Sequence, residues 1–343
     1  MSRITPLVRP NIAALAPYST ARDEYDGPIG IFLDANESPY NNGYNRYPDP
    51  HQAALKAKIA PIKGIPVENL FLGNGSDEAI DLVFRIFCVP GKDNAVIMSP
   101  SYGMYGVAAD INDVAVRSVR LDADFNLDTE ALLAACDENT KVIYLCSPNN
   151  PSGNAFPQEQ LLDIIGRFPG VVVVDEAYID FSEKGTLVHE AVNRDNVVVL
   201  QTLSKARSMA GLRIGMAISS REIIRLMSMV KYPYNLSRAA MEKAMDFLDK
   251  PIDNEVDVIV NERKRLAEIL PRYSCVKQVF PSDANFLLVR VDDADDLYGY
   301  LLDKGIIVRN RTRVPGCAGC LRLTVGLPSE NEALLNALDN YTV

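Results

Sequence analysis

The stretch Val197-Val-Val-Leu-Gln-Thr-Leu-Ser-Lys-Ala-Arg-Ser-Met-Ala-Gly-Leu-Arg-Ile-Gly-Met-Ala-Ile218 sets two apolar runs, 197–201 and 214–218, around a loop that holds one lysine, Lys205. Both runs read as buried strands, and a lysine held between them cannot stay a hydrated surface cation. Desolvation lowers an amine's pKa towards the range where it is nucleophilic, which makes Lys205 a candidate for Schiff-base chemistry. Ser204 just before it and Arg213 eight residues after it supply a hydroxyl and a planar cationic fork, the usual partners of a phosphate monoester. A Schiff-base lysine beside a phosphate clamp suggests pyridoxal phosphate. Taken alone, Lys205 also reads as a solvated loop residue ahead of a helix end, so the neighbouring segments decide.

Working outward, the chain between 95 and 219 alternates apolar strands at 96–99, 117–121, 142–146 and 171–174 with helices from Tyr102, over 128–135 and over 158–165. Near-continuous Val and Ile runs separated by helices predict an α/β fold with a mostly parallel sheet covered on both faces. Ligands of such sheets sit at the carboxyl ends of the strands. Those ends carry Ser147-Pro-Asn-Asn-Pro-Ser-Gly153, Asp175-Glu-Ala-Tyr178 and the Lys205 segment.

Before this region, a strand at 69–72 runs into Gly73-Asn-Gly-Ser-Asp-Glu78 and then a helix over 79–87. A glycine turn that opens a helix leaves N–H groups at the positive end of the dipole, a second phosphate cradle. An ordinary N-cap by Ser76 or Asp77 accounts for the same residues. Residues 1–50 are rich in Pro, Asn, Gly and Tyr and read as an extended arm, followed by a short helix at 52–59. Past 220 come a helix to 232 and one long or two stacked helices over 237–272. A smaller α/β unit then has strands at 286–290, 305–309 and 320–325 and helices at 294–304 and from Ser329. The expected division is an arm 1–50, a large cofactor-binding domain 51–235 and a small domain 236–343.

A net charge of -10 with no Lys/Arg-rich run argues against a nucleic-acid partner. No apolar run approaches the roughly 18 residues of a membrane span and no signal-peptide pattern opens the chain, so a cytoplasmic protein is expected. Six cysteines are scattered through apolar runs. Cys317-Ala-Gly-Cys320 has no second pair and no nearby histidine, and it reads as two turn cysteines rather than a metal or redox site.

Asp175 ends a strand of four valines, where a lone carboxylate is costly unless it meets a cation. The pyridinium nitrogen of pyridoxal phosphate is such a cation; at about 4 Å and an effective dielectric near 20 the attraction is roughly 4 kcal/mol. Asn150 and Tyr178 could hydrogen-bond the ring's phenolic oxygen, and Tyr102 could lie against the ring face.

In order and spacing, Asn149-Asn-Pro-Ser-Gly153, Asp175-Glu-Ala-Tyr178 and Ser204-Lys205 with Arg213 resemble the fold-type I aminotransferases. More narrowly, Leu33-Asp-Ala-Asn-Glu, Arg46-Tyr-Pro-Asp-Pro, Gly73-Asn-Gly-Ser-Asp-Glu and Cys320-Leu-Arg-Leu-Thr-Val-Gly326 look like the histidinol-phosphate aminotransferase family. The resemblance covers nearly the whole chain. It implies a large domain with a mostly parallel seven-stranded sheet sandwiched by helices, a smaller α/β domain and a homodimer. It implies that Lys205 carries pyridoxal 5'-phosphate, with Asp175 on the ring nitrogen and Asn150 and Tyr178 on the phenolic oxygen. Ser76, Asp77 through its backbone, Ser204 and Arg213 would hold the phosphate, Tyr47 would reach it from the partner subunit, and Tyr18, Asn36, Arg309 and Arg322 would meet substrate. The implied reaction, in histidine biosynthesis, takes L-histidinol phosphate and 2-oxoglutarate to imidazole-acetol phosphate and L-glutamate. Ser152 stands where the family more often has Thr, and Arg207 and Met216 replace expected aromatics.

Rival readings on the same scaffold are an aromatic-amino-acid aminotransferase and a decarboxylase of a phosphorylated amino acid. A catalytically silent ligand-binding module is the rival from outside the enzymes; the retained lysine speaks against it.

Overall fold

The computed structural model describes residues 3–17 and 30–341. Its central element is a seven-stranded sheet of β1 (Leu70–Asn74), β2 (Asn94–Ser99), β3 (Ala115–Arg120), β4 (Thr140–Cys146), β5 (Val171–Asp175), β6 (Val197–Thr202) and β7 (Ile214–Ser219), in the order β1-β7-β6-β5-β4-β2-β3. The pairs β3/β2, β2/β4, β4/β5 and β5/β6 are parallel, and β7 alone runs against its neighbours β6 and β1. Successive residues of a strand point to opposite faces, so the complete burial of β5 and β6 means that both faces are covered there. Each buried valine of β5 contributes on the order of 2 kcal/mol of hydrophobic stabilisation.

The helices of this part are α1 (Pro10–Ala13), α2 (Ala53–Lys63), α3 (Ser76–Phe87), α4 (Met104–Ile111), α5 (Thr129–Ala134), α6 (Gln158–Arg167), α7 (Val188–Asn193) and α8 (Arg221–Val230). The α3 helix is strongly amphipathic; Ala79, Ile80, Val83, Phe84 and Phe87 are buried against the sheet core. Asp128 starts α5 by accepting from Ala131 N at 3.0 Å, and Gly64 in the left-handed region (φ 65°) closes α2. The expected helix from Tyr102 begins two residues later, at Met104.

The chain then forms α9 (Arg238–Leu248), whose Met241, Ala244 and Leu248 join the core around the large sheet, and α10 (Asp253–Ile269), with Pro251, which cannot continue a helix, between them. It continues with the strands β8 (Val276–Val279), β9 (Phe286–Val291), β10 (Arg309–Asn310) and β11 (Cys320–Thr324), plus α11 (Ala294–Asp303) and α12 (Pro328–Asp339). The four strands form an antiparallel sheet, β10-β11-β9-β8, over a core of Leu266, Leu287, Leu297, Leu323 and Leu334.

Two sequence expectations change here. Residues 305–308 alternate as a strand should, with Ile306 and Val308 packed inward and Ile307 80% exposed, but β11 pairs only with Arg309 and Asn310. Alternation without a hydrogen-bonding partner makes no strand, so Arg309 begins the ladder instead of ending it. The edge strand β8 was not foreseen, because Val-Lys-Gln-Val offers only two apolar residues.

Candidate active site

The turn between β1 and α3 lies against the loop between β6 and β7. Gly75 N donates to Arg213 O at 2.7 Å, and a Cβ on Gly215 would stand 2.0 Å from Ser76 N. Only glycine permits this approach. The helix starts at Ser76 with Gly75 as N-cap and no side-chain cap, so neither Ser76 nor Asp77 caps it. The first-turn N–H groups remain aimed at the cleft, with the Arg213 guanidinium 3.5 Å from Asp77 Oδ2. The Tyr102 hydroxyl donates to Asp77 Oδ1 at 3.1 Å, and Ser204 N donates to Thr202 Oγ1 at 3.0 Å.

At the carboxyl end of β5, Asp175 is 3% exposed. The Tyr105 hydroxyl donates to its Oδ2 at 2.7 Å, and Ala177 N donates to Oδ1 at 3.0 Å. Burial pushes its carboxyl up to about 6, and these donors hold it from rising further. Lys205 stands with Nζ 5.4 Å from the centroid of the Tyr178 ring and makes no hydrogen bond or ion pair among the described residues. Burial, and then repulsion from Arg322, lower its pKa. The amine therefore deprotonates more readily than a surface lysine.

At the other end, Arg322 of β11 donates from Nη1 to Asn150 Oδ1 at 2.5 Å, and Asn150 Nδ2 donates to the Tyr178 hydroxyl at 3.4 Å. The guanidinium lies 5.2 Å from the Phe286 ring centroid, and Phe286 meets Tyr178 edge to face at 5.2 Å. Burial lowers the pKa of Arg322 and raises that of Tyr178.

Nine residues singled out in the sequence, Ser76, Asp77, Tyr102, Asn150, Asp175, Tyr178, Ser204, Lys205 and Arg213, line one cleft of ≈ 500 Å³ including its open mouth. Arg322 adjoins it through Asn150, and Arg309 faces Arg322 across the β10/β11 ladder. Tyr47 lies outside the cleft, stacked on Tyr234 at 4.5 Å in a neighbouring groove that shares Arg213. Asn36 is exposed and does not line the cleft, and Tyr18 lies outside the described residues. Arg207 reaches Lys250 O at 3.2 Å and Met216 is a fully buried core residue. Cys317 and Cys320 are buried free thiols, the former pushed up to about 12 by burial.

Sequence reading missed Tyr105, which bonds Asp175, and Thr202, which lines the cleft. Tyr105 follows Tyr102 by three positions, the helical spacing that returns to the same side, but an aromatic there also reads as plain core.

The sequence pattern of the family described as aminotransferase class I and II matches residues 28–338. The chain belongs to the class I and II aminotransferases. It is 53% identical to the histidinol-phosphate aminotransferase of Parabacteroides distasonis, over 99% of each chain. Among solved structures, it resembles the histidinol-phosphate aminotransferase of Clostridium acetobutylicum with a TM-score of 0.78 and 26% identity, covering 85% of this chain and 89% of that one. The enzyme from Sinorhizobium meliloti, solved with pyridoxal-5'-phosphate, gives a TM-score of 0.78 at 25% identity, covering 85% of this chain and 82% of that one. Members of this family use pyridoxal phosphate. The residues present fit that cofactor. A buried carboxylate needs a cation, a lysine with no bonded partner among the described residues lines the same cleft, and a glycine-lined helix start with Ser204 and Arg213 offers donors to a phosphate.

Proposed function

We propose that this aminotransferase transfers the amino group of L-histidinol phosphate to 2-oxoglutarate, giving imidazole-acetol phosphate and L-glutamate. The observation that carries this reading is the 53% identity, along 99% of both chains, to a protein named for that activity. When bound, pyridoxal phosphate supplies an electron sink for the charge that develops at the substrate's α-carbon. Asp175 would hold the ring nitrogen, Asn150 and Tyr178 would hold the phenolic oxygen, and Tyr102 would cover the ring. Ser76, Asp77 through its backbone N–H, Ser204 and Arg213 bind the phosphate. Lys205 would hold the cofactor, and its amine, with a pKa lowered by burial, would accept the proton at the substrate's α-carbon.

Arg322 supplies a fork for the substrate's anionic group, with Arg309, Asn36 and Tyr18 assigned to the same end. A homodimer in the cytoplasm suits this reading, with Tyr47 serving the partner's cofactor phosphate, and with an arm 1–50, a large domain 51–235 and a small domain 236–343. The exposed side chains of Ile31 (91%), Leu33 (89%) and Tyr40 (84%) on the arm support a covering subunit.

The test is kcat/KM for histidinol phosphate against phenylalanine on one preparation. A preference of at least about a hundredfold for the phosphorylated donor is expected, the scale of two lost charge-assisted hydrogen bonds. A preference for phenylalanine would replace this reading with an aromatic aminotransferase.

A further inference from the structure

Three guanidinium groups converge where β10 meets β11. Arg309 and Arg322 are cross-strand partners, so their side chains leave the same face of the small sheet. Arg311 comes two residues after Arg309, the spacing that returns to that face in extended chain, and its N–H donates to Cys320 O at 2.8 Å, continuing the pairing. The charges acting on Arg311 agree with this position. After burial, Arg322 and Arg309 lower its pKa, and Cys317 and Tyr178 oppose them. Arg322 and, less strongly, Arg311 pull the Tyr178 phenol down against the effect of burial.

Among the described residues no carboxylate pairs with this cluster. Among the described residues none of the three arginines forms an ion pair, and the Nε atoms of Arg311 and Arg322 are sealed from solvent without a hydrogen-bond partner. Three neighbouring cations, two of them half-buried with an orphan donor, are costly in the free protein and become favourable once an anion with several acceptor oxygens arrives. Arg322 is already engaged with Asn150 and Phe286. The Arg311 guanidinium has no such engagement, and its planar fork matches a phosphate monoester bidentately.

We propose that Arg311 is a binding residue for the phosphate of the amino donor and, with Arg309 beside it, selects a phosphorylated substrate over an unphosphorylated one. This rests on the reading that the donor carries a phosphate. Glutamate brings singly charged carboxylates in place of the dianion and depends on Arg311 less.

The experiment compares holoenzymes of wild type, Arg311→Gln and Arg311→Lys, each checked for an unchanged thermal unfolding midpoint. Arg311→Gln should raise KM for histidinol phosphate about ten- to hundredfold with kcat within about threefold, and raise KM for glutamate at least about fivefold less. Arg311→Lys, which keeps the charge but not the fork, should recover part of the loss. Inhibition of the glutamate half-reaction by inorganic phosphate should weaken in Arg311→Gln by about tenfold or more. A KM for histidinol phosphate within twofold of wild type, or equal losses for both donors, overturns the proposal. Should wild type fail to turn over histidinol phosphate, the proposed substrate falls, and the phosphate inhibition alone then judges Arg311. A tenfold weakening upholds the anion site, and unchanged inhibition removes it. Should Arg311→Gln not fold, the same phosphate inhibition in Arg311→Lys decides, with a shift upholding the proposal and no shift overturning it.

Discussion

The Tyr105 hydroxyl donates a 2.7 Å hydrogen bond to Asp175 Oδ2, and neither residue is more than 3% exposed. Burial raises the Asp175 pKa and this bond lowers it, so the carboxylate that would face the cofactor ring is tuned by a residue on α4. Tyr105→Phe should move Asp175 further above about 6. Cofactor affinity should fall by about tenfold or more at pH 7, since a hydrogen bond to a charged group is worth about 1.5–3 kcal/mol. The pH midpoint for cofactor binding should also rise relative to wild type. Titrating cofactor into stripped enzyme from pH 5 to 8 measures both, and a variant indistinguishable from wild type would show that Tyr105 only fills space.

Asp175→Asn should stabilise the protein once cofactor is removed, while abolishing most turnover. The carboxyl goes from an unperturbed 3.8 to about 6 on folding, so its burial cost is fully felt above pH 6 and disappears as pH falls towards 4. About two pKa units correspond to roughly 3 kcal/mol. Stripped Asp175→Asn should therefore melt about 5 °C above wild type at pH 8, and the two curves should meet near pH 4. A difference that persists unchanged at pH 4 would assign the effect to packing rather than charge.

Gly215→Ala tests the contact between β7 and the start of α3. The added Cβ would meet Ser76 N at 2.0 Å and Gly75 C at 2.3 Å, both backbone atoms that cannot swing aside. The strand must shift from the helix start at a cost of about 3 kcal/mol or more. Loss of cofactor retention on gel filtration should accompany a lowered melting temperature. Full retention would mean that the cradle tolerates a displaced helix N-terminus.

Leu33 and Tyr40 are 89% and 84% exposed, so charges there cost the isolated chain little. They should instead disrupt a covering subunit. Leu33→Glu combined with Tyr40→Glu should convert a dimer to a monomer in sedimentation velocity, with unchanged far-UV circular dichroism and most activity lost. A wild-type chain that sediments as a fully active monomer would remove the shared-site reading.

Much of the molecule was legible in the residues themselves. The Val-rich runs of β5 and β6 announced the covered parallel sheet because a strand buried on both faces has no polar alternation to lose. The motifs beside the ends of the sheet's strands named nine residues that the fold gathers into one cleft. The sequence left one long or two stacked helices open over 237–272, and the structure has two, α9 and α10, with Pro251 between them. Other features depended on partners distant in sequence. Residues 305–308 look like a strand and are not, since a ladder needs a neighbour whose position no local pattern encodes. Tyr105 lies 70 residues before Asp175 and becomes its hydrogen-bond donor only when α4 packs on the sheet. Arg311 looked like any surface arginine. Only the pairing of β10 with β11 brings it near Arg322, where burial and the like charges of Arg322 and Arg309 disfavour its cation.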